Sequence, residues 1–207
     1  MARAAIKHGL VYGAMRTMPI KTAKARERIL LAAKELFSTQ GIRATGVDTI
    51  VKSANINKMS LYKHFSSKEA LIVAYLQNSD SEFWSWFVEQ IEHKAQTPKD
   101  KLLAIFDVLA GWLVSTDFQG CPLIKASVEF PDQSHAVHQV SAAFYRKFRS
   151  YMTDLAGQAG VRFPERLAGQ LCALFQGAIV SEQLQRHSGA ADDAKLAAVL
   201  LIEHSVE

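Results

Sequence analysis

Within seven residues, Lys58-Met59-Ser60-Leu61-Tyr62-Lys63-His64, the chain places two ammonium groups, two hydroxyls, an imidazole and a thioether around one aliphatic side chain. In a short helix, Leu61 would turn inward and the others would share an outer face. Cations and hydroxyls at that density suit phosphate oxygens. Lys58, Met59, Ser60 and Lys63 are also candidates for base edges in a major groove. Met59 could meet a thymine methyl. The same face would also suit solvent at an ordinary αα corner, and the seven residues alone leave both readings open.

Other chemistries have fewer residues behind them. His135 and His138 stand at i, i+3 near Asp132, but a third strong ligand at helical spacing is missing, and no metal is expected. Cys121 and Cys172 are too few for a disulfide scaffold or a four-ligand zinc site, and they point to a reducing compartment, the cytoplasm. Cys121 has Lys125 at i+4 but no cluster of cations, and reads as a small buried residue rather than a redox sensor. No Ser/His/Asp arrangement, phosphate-cradling glycine loop or paired carboxylates in an apolar setting is found. Neither a catalytic residue nor a cofactor is therefore expected.

Charge is distributed unevenly. The 207 residues carry 24 Lys+Arg and 20 Asp+Glu, a net +4. Residues 1–68 hold 13 basic and three acidic residues (Glu27, Glu35, Asp48), a balance of +10, whereas residues 69–207 hold 11 and 17, a balance of −6. That asymmetry is expected if the first third meets a polyanion and the rest does something else. The hydrophobic content of 49% is that of a folded globular chain in one large or two small domains. No run approaches the ~20 apolar residues of a membrane span, and no membrane partner is expected.

The elements that must position the short helix are themselves helical. Apolar residues Ile29, Leu30, Ala33, Leu36 and Phe37 predict a helix over 22–40, closed by Gly41. A short helix follows over 47–54, with Thr45 as its N-cap, and a third over 58–65. Asn55 and Asn57 between them tolerate turn geometry, and Val47, Ile50, Val51, Ala54, Ile56 and Leu61 supply the inner faces. Ser66 and Glu69 have capping-box spacing ahead of a long helix to about His93. Five further helices begin near Pro98, Pro122, Ser134, Pro164 and Ala191, each after a start signal or loop. The fold class is all-α, about nine helices. Residues 1–21 read as a flexible basic arm.

The strings Ala44-Thr45-Gly46-Val47-Asp48-Thr49-Ile50, Ala54-Asn55-Ile56-Asn57-Lys58-Met59-Ser60-Leu61-Tyr62-Lys63-His64-Phe65 and Ser67-Lys68-Glu69-Ala70-Leu71 resemble the helix-turn-helix region of the tetracycline-repressor-like (TetR) family. Asn55 stands where that family usually has glycine, and Met59 where a small residue is common. The resemblance implies a DNA-binding domain over 22–76 and a helical effector-binding and dimerisation domain over 77–207. It also implies roles: Thr45, Tyr62, His64 and Lys68 on phosphates, and Phe65, Leu61 and Ile50 in the core. The aromatic group Phe83, Trp84, Trp86, Phe87, Phe106 and Trp112 would line an effector pocket, or serve simply as core. Leu171, Leu174, Phe175, Ala178, Leu196 and Leu200 would pair two copies through the last two long helices. The function implied is a homodimeric repressor that leaves a palindromic double-stranded operator when it binds a small apolar or aromatic effector. A helical small-molecule-binding or scaffolding protein without specific DNA recognition is the alternative.

Overall fold

The computed structural model describes residues 24–205; the basic arm expected at 1–21 lies outside them. Nine helices and no strand occur among the described residues: α1 (Ala25–Gln40), α2 (Val47–Ser53), α3 (Lys58–His64), α4 (Lys68–Lys94), α5 (Pro98–Leu113), α6 (Pro122–Glu129), α7 (Ala136–Gln158), α8 (Pro164–Leu184) and α9 (Ala190–Glu203). The all-α reading holds. Proline opens α5, α6 and α8, where its missing N–H would have had no intrahelical partner. Thr97 caps α5 by accepting the Asp100 N–H at 3.2 Å. The start of α4 differs from the expected Ser66–Glu69 box. Ser67 is the cap, its Oγ accepting the Ala70 N–H at 3.0 Å, so the helix begins one residue later.

The described chain forms two compact units, one of residues 24–84 with 119–146, the other of residues 85–118 with 147–205. Two of the three boundaries fall inside α4 and α7, and the third lies in the loop between α5 and α6. In the first unit, α1, α2 and α3 pack mutually over Ile29, Ala33, Ile50 and Leu61, all fully buried. Phe37 on α1 meets Tyr75 on α4 edge-on, with centroids 5.3 Å apart. Burying each such aliphatic or aromatic side chain contributes roughly 1.5–3 kcal/mol, far more than two-turn helices gain from their own hydrogen bonds. The unit thus contains the whole helix-turn-helix segment together with α6.

The second unit is centred on Phe87, Phe148 and Phe175, whose rings lie 4.6–6.0 Å apart in pairs. Helix α9 packs on α8 and α5 through Ala194, Ala198 and Ile202. The α8–α9 turn is tied by one buried carboxylate. Glu182 accepts the backbone N–H of His187 (2.7 Å) and of Ser188 (3.1 Å) as well as the Ser188 hydroxyl (3.0 Å). Burial pushes the Glu182 carboxyl up, but these donors and Arg186 outweigh it and hold the group below the usual glutamate range.

A carboxylate whose folded-state pKa is depressed stabilises the fold above its unfolded pKa. That contribution is lost as pH falls through the lower folded value. Glu182→Gln is therefore expected to destabilise the protein by about 1–3 kcal/mol near neutrality. The variant should also show a shallower loss of stability on acidification than the parent, read by urea titrations at pH 7 and pH 4.

Candidate nucleic-acid interface

The turn between α2 and α3 is built from both sides of the chain. Asn55 adopts the left-handed conformation (φ 51°), which asparagine tolerates where glycine would otherwise stand. Arg28 on α1 reaches the same corner, donating from Nε (3.1 Å) and Nη2 (2.9 Å) to the Ala54 carbonyl and from Nη2 to that of Asn55. Asn57 then caps α3, its Oδ1 accepting the Ser60 N–H at 2.8 Å. Ile50, Val51, Ala54 and Leu61 are buried as the pattern required, while Val47 and Ile56 are only half-buried. The corner is closed more by the arginine than by Ile56.

With Leu61 inward, α3 turns Lys58, Met59, Tyr62, Lys63 and His64 to the outside, with Met59 83% and Tyr62 48% exposed. A methionine so exposed at a capped, anchored helix start is free to meet an apolar surface such as a thymine methyl. Ser60 is half-buried beside the Asn57 cap. The Lys58 ammonium lies 2.7 Å from Asp48 Oδ1 on α2, and that hydrogen bond and charge push its pKa above the ordinary lysine value.

One residue stands differently from expectation. Thr45 is fully buried, and its hydroxyl donates to the Gly41 carbonyl at 2.6 Å, satisfying an acceptor just beyond the end of α1. Gly46, not Thr45, is the N-cap of α2. The expected phosphate contact through the Thr45 hydroxyl is thereby corrected: the group is enclosed and already used. Lys68, which the resemblance sets on phosphate, is half-buried. Its Nζ donates to the Arg43 carbonyl at 3.3 Å, and burial lowers its pKa against the opposing field of Glu129.

Glu129, the last residue of α6, organises the α1–α2 loop. Its Oε1 accepts the Ile42 N–H at 3.0 Å and its Oε2 the Arg43 N–H at 2.7 Å, 87 and 86 residues away in sequence. Arg43 lies over the Phe130 ring at 4.8 Å, and Lys125 Nζ donates to the Ser38 carbonyl at 3.3 Å. The loop contacts of Arg28, Arg43, Lys125 and Glu129 are not among those expected from the sequence. The Glu129-Phe130-Pro131-Asp132 string is a visible signal, but its partner loop is not. His135 and His138 serve the adjoining loop: Nδ1 of His135 accepts the Val137 N–H at 3.2 Å, and Nδ1 of His138 lies 2.8 Å from the Phe130 carbonyl.

A family profile described as "Bacterial regulatory proteins, tetR family" matches residues 29–75, and a second, "Tetracyclin repressor-like, C-terminal domain", matches residues 98–198. The chain belongs to the TetR family. Among solved structures, the TetR-family regulator SCO4454 of Streptomyces coelicolor is 27% identical. It covers 88% of this chain and 96% of its own, with a TM-score of 0.83. The transcriptional regulator YjdC of Escherichia coli K12 is 24% identical over 169 residues, 82% of this chain and 88% of that protein. The transcriptional repressor DhaR of Mycobacterium sp. strain GP1 is 26% identical, over 78% of this chain and 84% of its own. The first profile covers all of α2 and α3, so the corner described above is the helix-turn-helix of a DNA-binding transcriptional regulator. The scaffolding alternative receives no support from these relatives.

The remaining TetR-type expectations meet the structure unevenly. The aromatic group is divided between the units: Phe83 and Trp84 belong to one, and Trp86, Phe87, Phe106 and Trp112 to the other. All but the half-buried Trp86 are buried. A groove of about 590 Å³ opens elsewhere, beside Phe163, Arg166, Leu167, Leu200 and His204. The pairing face also needs correction. Leu171, Phe175 and Ala178 are buried within their own unit and Leu174 is half-buried, because α8 turns that stripe toward the core. Leu196 (66% exposed) and Leu200 (58%) do lie outside, and the exposed apolar residues of α8 are Val180 and Leu184.

Removing the Glu129 carboxylate with Glu129→Ala leaves two loop N–H groups without their charged acceptor. The variant is expected to lose about 2 kcal/mol of stability, the scale of hydrogen bonds to a charged group. Hydrogen exchange at the Ile42 and Arg43 amides should accelerate, whereas that at α9 should not.

Proposed function

We propose that two copies of this chain, joined through α8 and α9, repress transcription by holding a palindromic operator, and that a small apolar or aromatic effector releases them. The observation that carries the reading is the outer face of α3. It presents Met59, Tyr62, Lys63 and His64 on a helix capped at its start by Asn57, in the basic third of the chain. One two-turn helix reads few base pairs. Two of them, related by a twofold axis, read half-sites a whole number of helical turns apart. The relative named as a repressor, DhaR, supports the sign of regulation.

Helix α9 is apolar on two sides. Ala194, Ala198 and Ile202 are used inside the unit, while Leu196 and Leu200, one turn apart, remain outside. Leu184 and Val180 on α8 are likewise exposed, and Gly177 has open space where a side chain would stand. Exposed apolar stripes of this kind suit a self-complementary contact. The buried aromatic residues Phe87, Phe106 and Trp112 make an apolar effector the chemistry of choice. Its binding would act by shifting the population of reading-competent dimers.

Fluorescence-anisotropy titration against a palindrome selected from random DNA, repeated across salt concentrations, tests the main reading. With about four phosphates neutralised per subunit, log K against log salt is expected to slope at about −7. A flat salt response with no enriched inverted repeat would reject it. Tyr62→Phe is expected to weaken operator binding by ~1 kcal/mol, one hydrogen bond, with the melting temperature unchanged. Leu200→Glu is expected to give a folded monomer by analytical ultracentrifugation, and with it a loss of palindrome preference.

A further inference from the structure

The only acid between Glu35 and Glu69 in the sequence is Asp48, and it stands within the helix-turn-helix. It lies in the first turn of α2, and its Oδ1 is 2.7 Å from Nζ of Lys58, the first residue of α3. Both side chains are exposed, 78% and 56%, so the pair adds little to folding stability. A carboxylate at this position also repels phosphates. Its presence on the reading head calls for an account in terms of binding.

Residues at the start of a recognition helix are the ones that reach base edges. An unpaired lysine there would take any phosphate it met and add affinity without adding discrimination. An ammonium has three donors. With one committed to Asp48, two remain, which match the O6 and N7 acceptors that guanine shows in the major groove. We propose that Asp48 is a specificity-determining residue, which holds Lys58 by one donor, aims the other two at a guanine edge and denies the ammonium to the phosphate backbone. This rests on the DNA-binding role of α3 and goes beyond it by assigning a base and a discriminating acid. Lys58 remains charged throughout; only its partners change.

The test uses the full-length protein, a random-sequence duplex and the selected palindrome. Asp48→Asn is expected to bind the random duplex about tenfold more tightly at 0.2 M salt. Its slope of log K on log salt should steepen by about 2 for a two-headed complex, one further phosphate per head. Affinity for the palindrome should rise less, so the specificity ratio falls. In a Lys58→Gln background the same substitution should leave the random-duplex slope unchanged. Replacing one G·C pair per half-site by A·T should weaken the parent about tenfold and Lys58→Gln hardly at all.

An equal effect of Asp48→Asn with and without Lys58 would overturn the proposal, since Asp48 would then act only as a general repulsive charge. An unchanged specificity ratio would overturn it as well. Failure of the parent protein to bind either duplex would instead remove the DNA-binding reading, and the proposal with it. Circular dichroism melts of the three variants check that these two exposed positions leave the fold intact.

Discussion

Helices of two turns do not stand by themselves, and the reading head of this protein is made of two of them. What holds them is a combination of apolar burial and charged groups aimed at loop backbone. Ile50 and Leu61 fix the inner faces. Arg28 gathers the carbonyls of the α2–α3 turn, and Glu129 gathers the N–H groups of the α1–α2 loop. A cation meets acceptors at one end of α2 and an anion meets donors ahead of the other. Each charged side chain thereby satisfies backbone groups that would otherwise need water.

The source of these anchors matters as much as their geometry. Arg28 belongs to α1, within the helix-turn-helix segment, but Glu129 and Lys125 belong to α6. The compact unit that presents α3 therefore includes a helix from far along the chain. Anything that repositions the end of α6 changes the support of the Ile42–Arg43 loop directly, through two hydrogen bonds of 3.0 and 2.7 Å. Lys68 adds a third tie to that loop from α4. These contacts tie the α1–α2 loop to α4 and α6 within its own unit.

Electrostatics on the head is more finely divided than the net balance suggests. The basic excess of the first third supplies general attraction to a polyanion, which is strong and indifferent to sequence. Individual cations also have local partners: the turn carbonyls for Arg28, the Arg43 carbonyl for Lys68 and the Asp48 carboxylate for Lys58. Lys63 and His64 remain exposed on α3.

Local pattern was enough for the helix count, the proline-led helix starts, the inward Leu61 and the outward Met59-Tyr62-Lys63 face, because caps, breakers and 3.6-residue periodicity act within a few residues. It was enough for the TetR resemblance too, which rests on residue choice at fixed spacing. It misplaced Thr45 and the α8 stripe for one reason. Periodicity says that a helix has an apolar side but not which neighbour covers it, and a hydroxyl at a helix entry looks the same whether it caps or is buried. Leu171 and Phe175 were as apolar in sequence as Leu196 and Leu200, and only packing sent the first pair inward and left the second outside. Glu129 and Asp48 illustrate the same limit in charge. Their partners lie 86 and 87 residues away for one and ten for the other, at separations that no local rule connects, and the folded chain alone brings them within hydrogen-bond reach.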